Sequence, residues 1–166
     1  MADDSETEHT QNVHQSVGAW AKRYYNANRA AIDSVLRPYD VGTTQWYVLY
    51  QLATEGETLQ RDLGPLLHLE RATLSGIVAA LVRKGWVDQS ADTTDQRQRM
   101  LRLTDAGREL WARLPDPVAV IQAHSFQGSS PEERATAIRV LELATTTLNE
   151  WMSTSASAGD KLEPRS

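Results

Sequence analysis

The sequence predicts a mostly α fold that carries one small β-hairpin, and three observations predict it. Apolar residues recur at steps of three and four through most of the chain, the spacing of amphipathic helices. That spacing drops to two over Trp86–Ser90 and Gln98–Leu103, with the polar, turn-prone run Ala91-Asp92-Thr93-Thr94-Asp95-Gln96-Arg97 between them. The hairpin directly follows a helix that is apolar on one face (Leu74, Ile77, Val78, Leu81) and polar or small on the other (Arg71, Thr73, Ser75, Gly76). A helix with a polar face, followed by a hairpin with an arginine at its tip, is the layout of a winged helix-turn-helix. One reading puts the helix in a DNA major groove and the tip in the neighbouring minor groove. The other is a surface helix with a solvated hairpin, since such units also serve as protein-interaction modules.

Taken in order, the chain opens on an acidic stretch, MADDSETEH, expected as a disordered tail over residues 1–12 and lacking the basic and apolar regions of a signal peptide. Val13, Val17, Trp20, Tyr24, Ala27, Ala31 and Val35 predict a first helix over 13–36, ended by Pro38. Thr43 or Thr44 is the expected cap of the next helix, with Trp46, Leu49, Tyr50 and Ala53 inward and Glu55-Gly56-Glu57 closing it. Thr58 is expected to cap a short positioning helix from Leu59 to about Leu67, kinked or stopped early by Pro65. The polar-faced helix follows and stops at Gly85, with Arg83 and Lys84 in its last turn. After the hairpin, Thr104 caps a helix from Asp105, with Leu110 and Leu114 inward, which Pro115 and Pro117 interrupt. A further helical stretch runs from Val118 to about Ala123. Ser130-Pro131-Glu132-Glu133 is a capping box that starts a final helix to about Met152. Residues 153–166 are rich in Ser, Ala and Gly and are expected to be disordered.

The protomer is thus read as a six-helix winged helix-turn-helix. Residues 41–114 form the DNA-binding domain, and 13–37 with 118–152 supply dimerisation helices. The terminal helices carry apolar stripes that a small winged core does not cover, and a second copy of the chain is the simplest cover. A two-fold dimer also matches a palindromic site.

Composition limits the function classes. With no cysteine among 166 residues there is no disulfide framework, thiolate metal site or cysteine redox switch. No apolar run approaches the ~20 residues that cross a bilayer, and the chain is read as cytoplasmic. A net charge of −5 argues against a nucleic-acid binder until its distribution is considered. Residues 58–108 hold eight Lys/Arg against six Asp/Glu, a local +2, while the rest of the chain nets −7. The basic balance lies in the reading unit.

Asp95-Gln96-Arg97 followed by Leu103-Thr104-x-x-Gly107 resembles the wing and helix start of the MarR family of regulators. The likeness extends through Thr44-Gln45-Trp46, Leu49, Leu63, Leu69-Glu70-Arg71-Ala72-Thr73 and Leu81 to Gly85. It implies a homodimeric winged-helix regulator of pseudo-palindromic double-stranded DNA. Members are often repressors released by small aromatic or phenolic acids. Carried over, Arg97 enters the minor groove and Asp95 holds that arginine, or the wing itself, by a charge-assisted hydrogen bond. Arg71, Thr73 and Ser75 line the recognition helix, with Gln60, Ala72, Gly76 and Arg99 beside them. Gly76 stands where many members have arginine, and His68 takes a turn position often held by glycine.

The remaining candidates are sparse. His9, His14, His68 and His124 show no metal-ligand spacing, and no metal or cofactor is expected. Trp20, Tyr24, Trp46 and Trp111 read as core and interface residues or as an aromatic ligand pocket, with Arg23 as its anion partner. No Ser/His/Asp set, carboxylate pair or phosphate loop stands out, so no enzyme activity is expected. A winged-helix dimer that binds protein rather than DNA is the alternative. The wing arginine favours DNA, because a scaffold has no physical need of a cation at a polar hairpin tip.

Overall fold

The computed structural model describes residues 14–91 and 98–159, and the side chains among them as far as 155. Its elements are α1 (Val17–Leu36), a 3₁₀ turn (Arg37–Tyr39), α2 (Thr43–Thr54), β1 (Thr58–Leu59), α3 (Gln60–Leu66) and α4 (Arg71–Arg83). The hairpin β2 (Val87–Ala91) and β3 (Arg99–Leu103) follows, then α5 (Asp105–Arg113), α6 (Pro117–Ser125) and α7 (Pro131–Gly159). This is the mostly α winged helix expected. The acidic N-terminal stretch and the wing tip, 92–97, lie outside the described residues. The chain divides into two compact units, Met1–Ile121 and Gln122–Ser166.

The first unit is built around one apolar cluster. Ile32 and Leu36 come from the end of α1, and Trp46, Val48, Leu49 and Leu52 from α2. Leu63, Leu74, Val78 and Leu81 come from the helix-turn-helix, and Val87, Leu101 and Leu103 from the sheet. Leu74, Val78 and Leu81 are the stripe that periodicity assigned to the core. Tyr50, expected inward, is 44% exposed, because Val48 and Leu52 complete the buried face of α2. Upstream of Ile32, α1 is open, with Val17 and Trp20 each 61% exposed.

Several local signals differ from expectation. Neither Thr43 nor Thr44 caps α2. Gly42 is the cap residue, Gln45 Oε1 accepts the Gly42 N–H at 3.2 Å, and the cap of the first turn comes from Asp33 on α1. Thr58 does not cap α3 either. Thr58 and Leu59 pair with Leu101 and Met100 as the third strand of a β1-β3-β2 antiparallel sheet, and Thr58 Oγ1 donates to Gly56 O. α1 begins at Val17, capped by Ser16, whose Oγ accepts from Ala19 N–H at 3.2 Å. Other caps fall as read: Thr104 Oγ1 accepts from Gly107 N–H at 3.0 Å. Pro115 and Pro117 separate α5 from α6, and Asp116 Oδ1 caps α6 through Val118 and Ala119 N–H.

Gly107 explains its own place in the motif. A Cβ there would lie 2.0 Å from the carbonyl oxygen of Trp86. The same short stretch is bonded twice by Thr104, whose N–H donates to Trp86 O (3.1 Å) and whose hydroxyl donates to Gly85 O (2.6 Å). α5 is thereby fastened to the root of the hairpin.

The second unit is dominated by α7. Ser130 and Glu133 form the reciprocal capping box, at 2.8 and 3.2 Å. The helix continues beyond Met152 to Gly159, which corrects the expected disorder over 153–159; residues 160–166 lie outside the described residues. Thr154 Oγ1 donates to the Glu150 and Trp151 carbonyls, so this Ser/Thr-rich stretch folds back on its own helix. Ile138, Leu141, Leu143, Leu148, Trp151 and Met152 are all exposed.

Candidate nucleic-acid interface

The interface is built on a turn between two helices that cross at 120°. Pro65 lies inside α3, which ends one residue later at Leu66; its missing N–H leaves the Arg61 carbonyl without a helical donor. Leu67 N–H then bonds Leu63 O (2.9 Å) and Leu69 N–H bonds Gly64 O (2.8 Å), closing the helix end. His68 takes φ 52°, the left-handed conformation that explains why glycine suits that turn. Glu70 enters α4 in extended conformation and gives its first turn no side-chain cap. The first N–H groups of a 13-residue helix are thus left for outside partners.

Burial of Leu74, Val78 and Leu81 sets the rotation of α4. It leaves Arg71, Ala72, Thr73, Ser75 and Gly76 exposed on the opening turns. Beside them runs a groove of about 1010 Å³, bordered by α3, α4 and the hairpin. Arg61, Arg71, Arg83 and Arg99 line it together with Gln60 and Gln89. Arg61 leans on its neighbour Asp62 at 3.3 Å, with both side chains mostly exposed. Among the described residues Arg71, Arg83 and Arg99 form no ion pair. Arg102, three residues along β3 from Arg99, behaves oppositely: it is held by Asp88 at 2.7 Å and reaches Glu57 at 3.9 Å. Strand alternation separates these two arginines. Among the described residues, three of the four groove arginines thus have no acidic partner, while Arg102 on the other strand face is paired.

Three of the groove's polar groups bond one another. Gln89 Nε2 donates to Gln60 Oε1 (2.6 Å), and Gln60 Nε2 donates to Ser75 Oγ (3.2 Å). Ser75 Oγ donates to Arg71 O (2.9 Å). In this arrangement Ser75 offers a lone pair, not a proton, to anything outside its helix.

The nine residues assigned to DNA fall as follows. Gln60, Arg71, Ser75 and Arg99 come together in the groove, and Ala72, Thr73 and Gly76 share the exposed turns of α4. Asp95 and Arg97 lie outside the described residues. Sequence reasoning missed Arg61, Arg83 and Gln89. Arg83 had a signal: Arg71, Ser75, Ala79 and Arg83 follow one another at steps of four along one helix face.

The aromatic set forms two groups. Trp46 and Trp111 meet at 5.8 Å between centroids, with Tyr50 stacked on Trp46 at 5.3 Å. Trp46 is buried, and its indole N–H has no hydrogen-bond partner among the described residues. On α1, the Arg23 guanidinium lies 4.9 Å from the Trp20 ring and donates to His14 O at 2.8 Å, with Tyr24 43% exposed nearby in sequence. Burial raises the Tyr47 hydroxyl above its ordinary value, with Tyr25 adding to the effect. Among the described residues no three His, Asp or Glu side chains group as metal ligands would, and no single helix is long and apolar enough to cross a membrane.

Comparisons with known proteins agree with this architecture. The MarR family model matches residues 39–98. The HTH-type transcriptional regulator YwoH of Bacillus subtilis is 33% identical over 69 residues, 42% of this chain and 50% of that protein. The HTH-type transcriptional repressor IacR of Pseudomonas putida is 23% identical over 124 residues, 75% of this chain and 74% of that protein. The chain thus spans about half the length of some curated relatives, as with YwoH, and about three quarters of others. A mutant MarR of E. coli, solved in complex with operator DNA, superposes with a TM-score of 0.73 at 20% identity, over 80% of this chain and 96% of that one. The PcaV transcriptional regulator of Streptomyces coelicolor, solved with its natural ligand, gives 0.68 at 25% identity over 81% and 94%. Residues 39–98 thus match the MarR family model, and the winged helix around them is the fold of the MarR-family structures.

Proposed function

We propose that this protein is a homodimeric transcriptional regulator that binds pseudo-palindromic double-stranded DNA. α4 enters the major groove and the wing the minor groove. The observation that carries the reading is the set of arginines around one groove, of which Arg71, Arg83 and Arg99 lack acidic partners among the described residues. Cations left uncompensated on one face of an acidic chain serve a polyanion. The competing reading, a scaffold that binds protein, gives no reason for that asymmetry. The protein is read as a cytoplasmic regulator and not as an enzyme.

The finer assignments rest on separate supports. Homodimerisation is supported by the exposed apolar residues of α1 and α7. Repression follows the relative IacR, a repressor by name. Response to a small aromatic or phenolic ligand is supported by the Trp46, Tyr50 and Trp111 cluster, in which the buried Trp46 N–H has no acceptor among the described residues. The test is a mobility-shift titration of the full chain on random duplex DNA at several salt concentrations. Binding that weakens linearly in log salt is expected, and salt-independent or absent binding would overturn the reading.

A further inference from the structure

We propose that Gln60 and Gln89 are positioning residues: a side-chain relay from β2 through α3 to α4 sets the angle between the recognition helix and the wing, and so the register of their two groove contacts. The inference rests on the DNA-binding reading above and deepens it. It reassigns Gln60, which the resemblance placed among the DNA contacts, and adds Gln89.

The geometry commits one donor and the carbonyl of Gln60, and one donor of Gln89, to contacts within the protein. Gln60 uses its carbonyl oxygen to accept from Gln89 (2.6 Å) and its amide nitrogen to donate to Ser75 (3.2 Å). Ser75 passes its one proton to Arg71 O (2.9 Å). The chain therefore begins on a hairpin strand and ends on the backbone of the residue that opens α4. The first two links join different secondary-structure elements, β2 to α3 and α3 to α4, and oppose sliding of one against the next, while the third lies within α4 and orients the Ser75 hydroxyl. β2 pairs with β3 from Val87 opposite Leu103 to Ala91 opposite Arg99, and its root is tied to α4 by the Trp86 N–H to Leu81 O bond (3.1 Å) and by Val87 in the shared core. Those contacts hold the root; farther out, at Gln89, the described hydrogen bond from β2 across to the helix-turn-helix is the one to Gln60. Regulators that read two grooves at once need that tilt held, because a contact displaced by an ångström loses its hydrogen bond.

Positioning and direct contact predict different outcomes. The measurement compares wild type, Gln60→Ala, Gln89→Ala and the double variant on a selected operator and on random duplex, at two salt concentrations. The relay predicts that each single change lowers the preference for operator over random DNA about three- to tenfold, the worth of one hydrogen bond. It predicts that the double variant loses no more than the worse single, because either deletion breaks the same chain. It also predicts an unchanged salt slope, since no phosphate contact is removed. Additive losses, or a shallower slope for Gln60→Ala, would mean direct contacts and overturn the relay. NMR relaxation of the free protein supplies a readout without DNA: Gln60→Ala should raise the mobility of Gln89–Ala91, and unchanged mobility overturns the relay. If wild type binds neither duplex, the DNA reading itself has failed. If wild type binds and the cycle is additive, only the relay has.

Discussion

The carboxylate of Asp33, on α1, receives both the backbone N–H (3.0 Å) and the hydroxyl (2.5 Å) of Thr43, the first residue of α2. One helix thus caps another, in place of the side chain that Gly42 lacks. The Thr43 hydroxyl bond is the main cause of an Asp33 carboxyl held below its ordinary value, helped by the Thr43 N–H, Arg29 and Arg37, while partial burial opposes the shift.

A group whose pKa is lower folded than unfolded stabilises the fold above its ordinary range and loses that contribution as pH falls through the folded value. Asp33→Ala should cost about 1 kcal/mol at neutral pH, as a lost helix cap does, and Thr43→Ala about 1 kcal/mol for its lost hydroxyl bond. The double variant should cost little more than either. Urea melts of the four proteins at neutral and acid pH check this. An Asp33→Ala penalty that persists undiminished at low pH would contradict it.

Gly107→Ala should destabilise the first unit by about 3 kcal/mol or more, because its Cβ meets backbone that has no freedom to yield. Gly76→Ala is the control: nothing lies within 4 Å of a Cβ there, and a helical alanine is favoured. Thermal melts should move in opposite directions for the two. Equal melting temperatures would show that the hairpin root relaxes freely.

Arg71 opens α4 on its exposed face, where a guanidinium can offer two donors to guanine. Arg71→Ala should relax preference at one base position per half-site by about 1–3 kcal/mol. Selected binding sites of the two proteins give the comparison, and identical consensus half-sites would assign specificity to DNA shape or the wing.

Arg97→Ala should weaken binding to every duplex and flatten the salt dependence, since a lost cation releases fewer counterions. Affinities measured at low and high salt decide it; no change at either would remove Arg97 from the interface.

Leu141→Asp with Leu148→Asp should leave a monomer. Both residues are exposed on α7, so the folded protomer tolerates them, whereas burying them against a second copy would trap unpaired charge. Light scattering that still finds a dimer would place the interface elsewhere.

What was legible in the sequence was local or periodic. Leu74, Val78 and Leu81 declare the core face of α4 by spacing alone, and Thr104 and Ser130 cap helices with partners three residues away. What was not legible depends on partners distant in sequence. Thr43 reads as a cap until Asp33 is seen to take its N–H, and Thr58 reads as a cap until Leu101 pairs with it. The end of α7 reads as disorder by composition, yet its Ser and Thr hydroxyls bond backward to helix carbonyls. In the candidate site, exposed positions of α4 followed from the stripe opposite them. Gln89 carried no signal, because its role exists only through a side chain on another element.

The junction at Trp86 has a mechanical consequence. Thr104 bonds the backbone of Gly85 and Trp86 from one side, and Gly107 lies against the Trp86 carbonyl with no space between. Such a joint transmits force rather than absorbing it. A rotation of α5 turns the base of the hairpin with it, and the hairpin amplifies that rotation in proportion to its length. Five paired positions separate the joint from the far end of the strands, about 17 Å at the rise of an extended chain. A shift of a few degrees at the base thus becomes more than an ångström at the end of the lever, enough to make or break a hydrogen bond there.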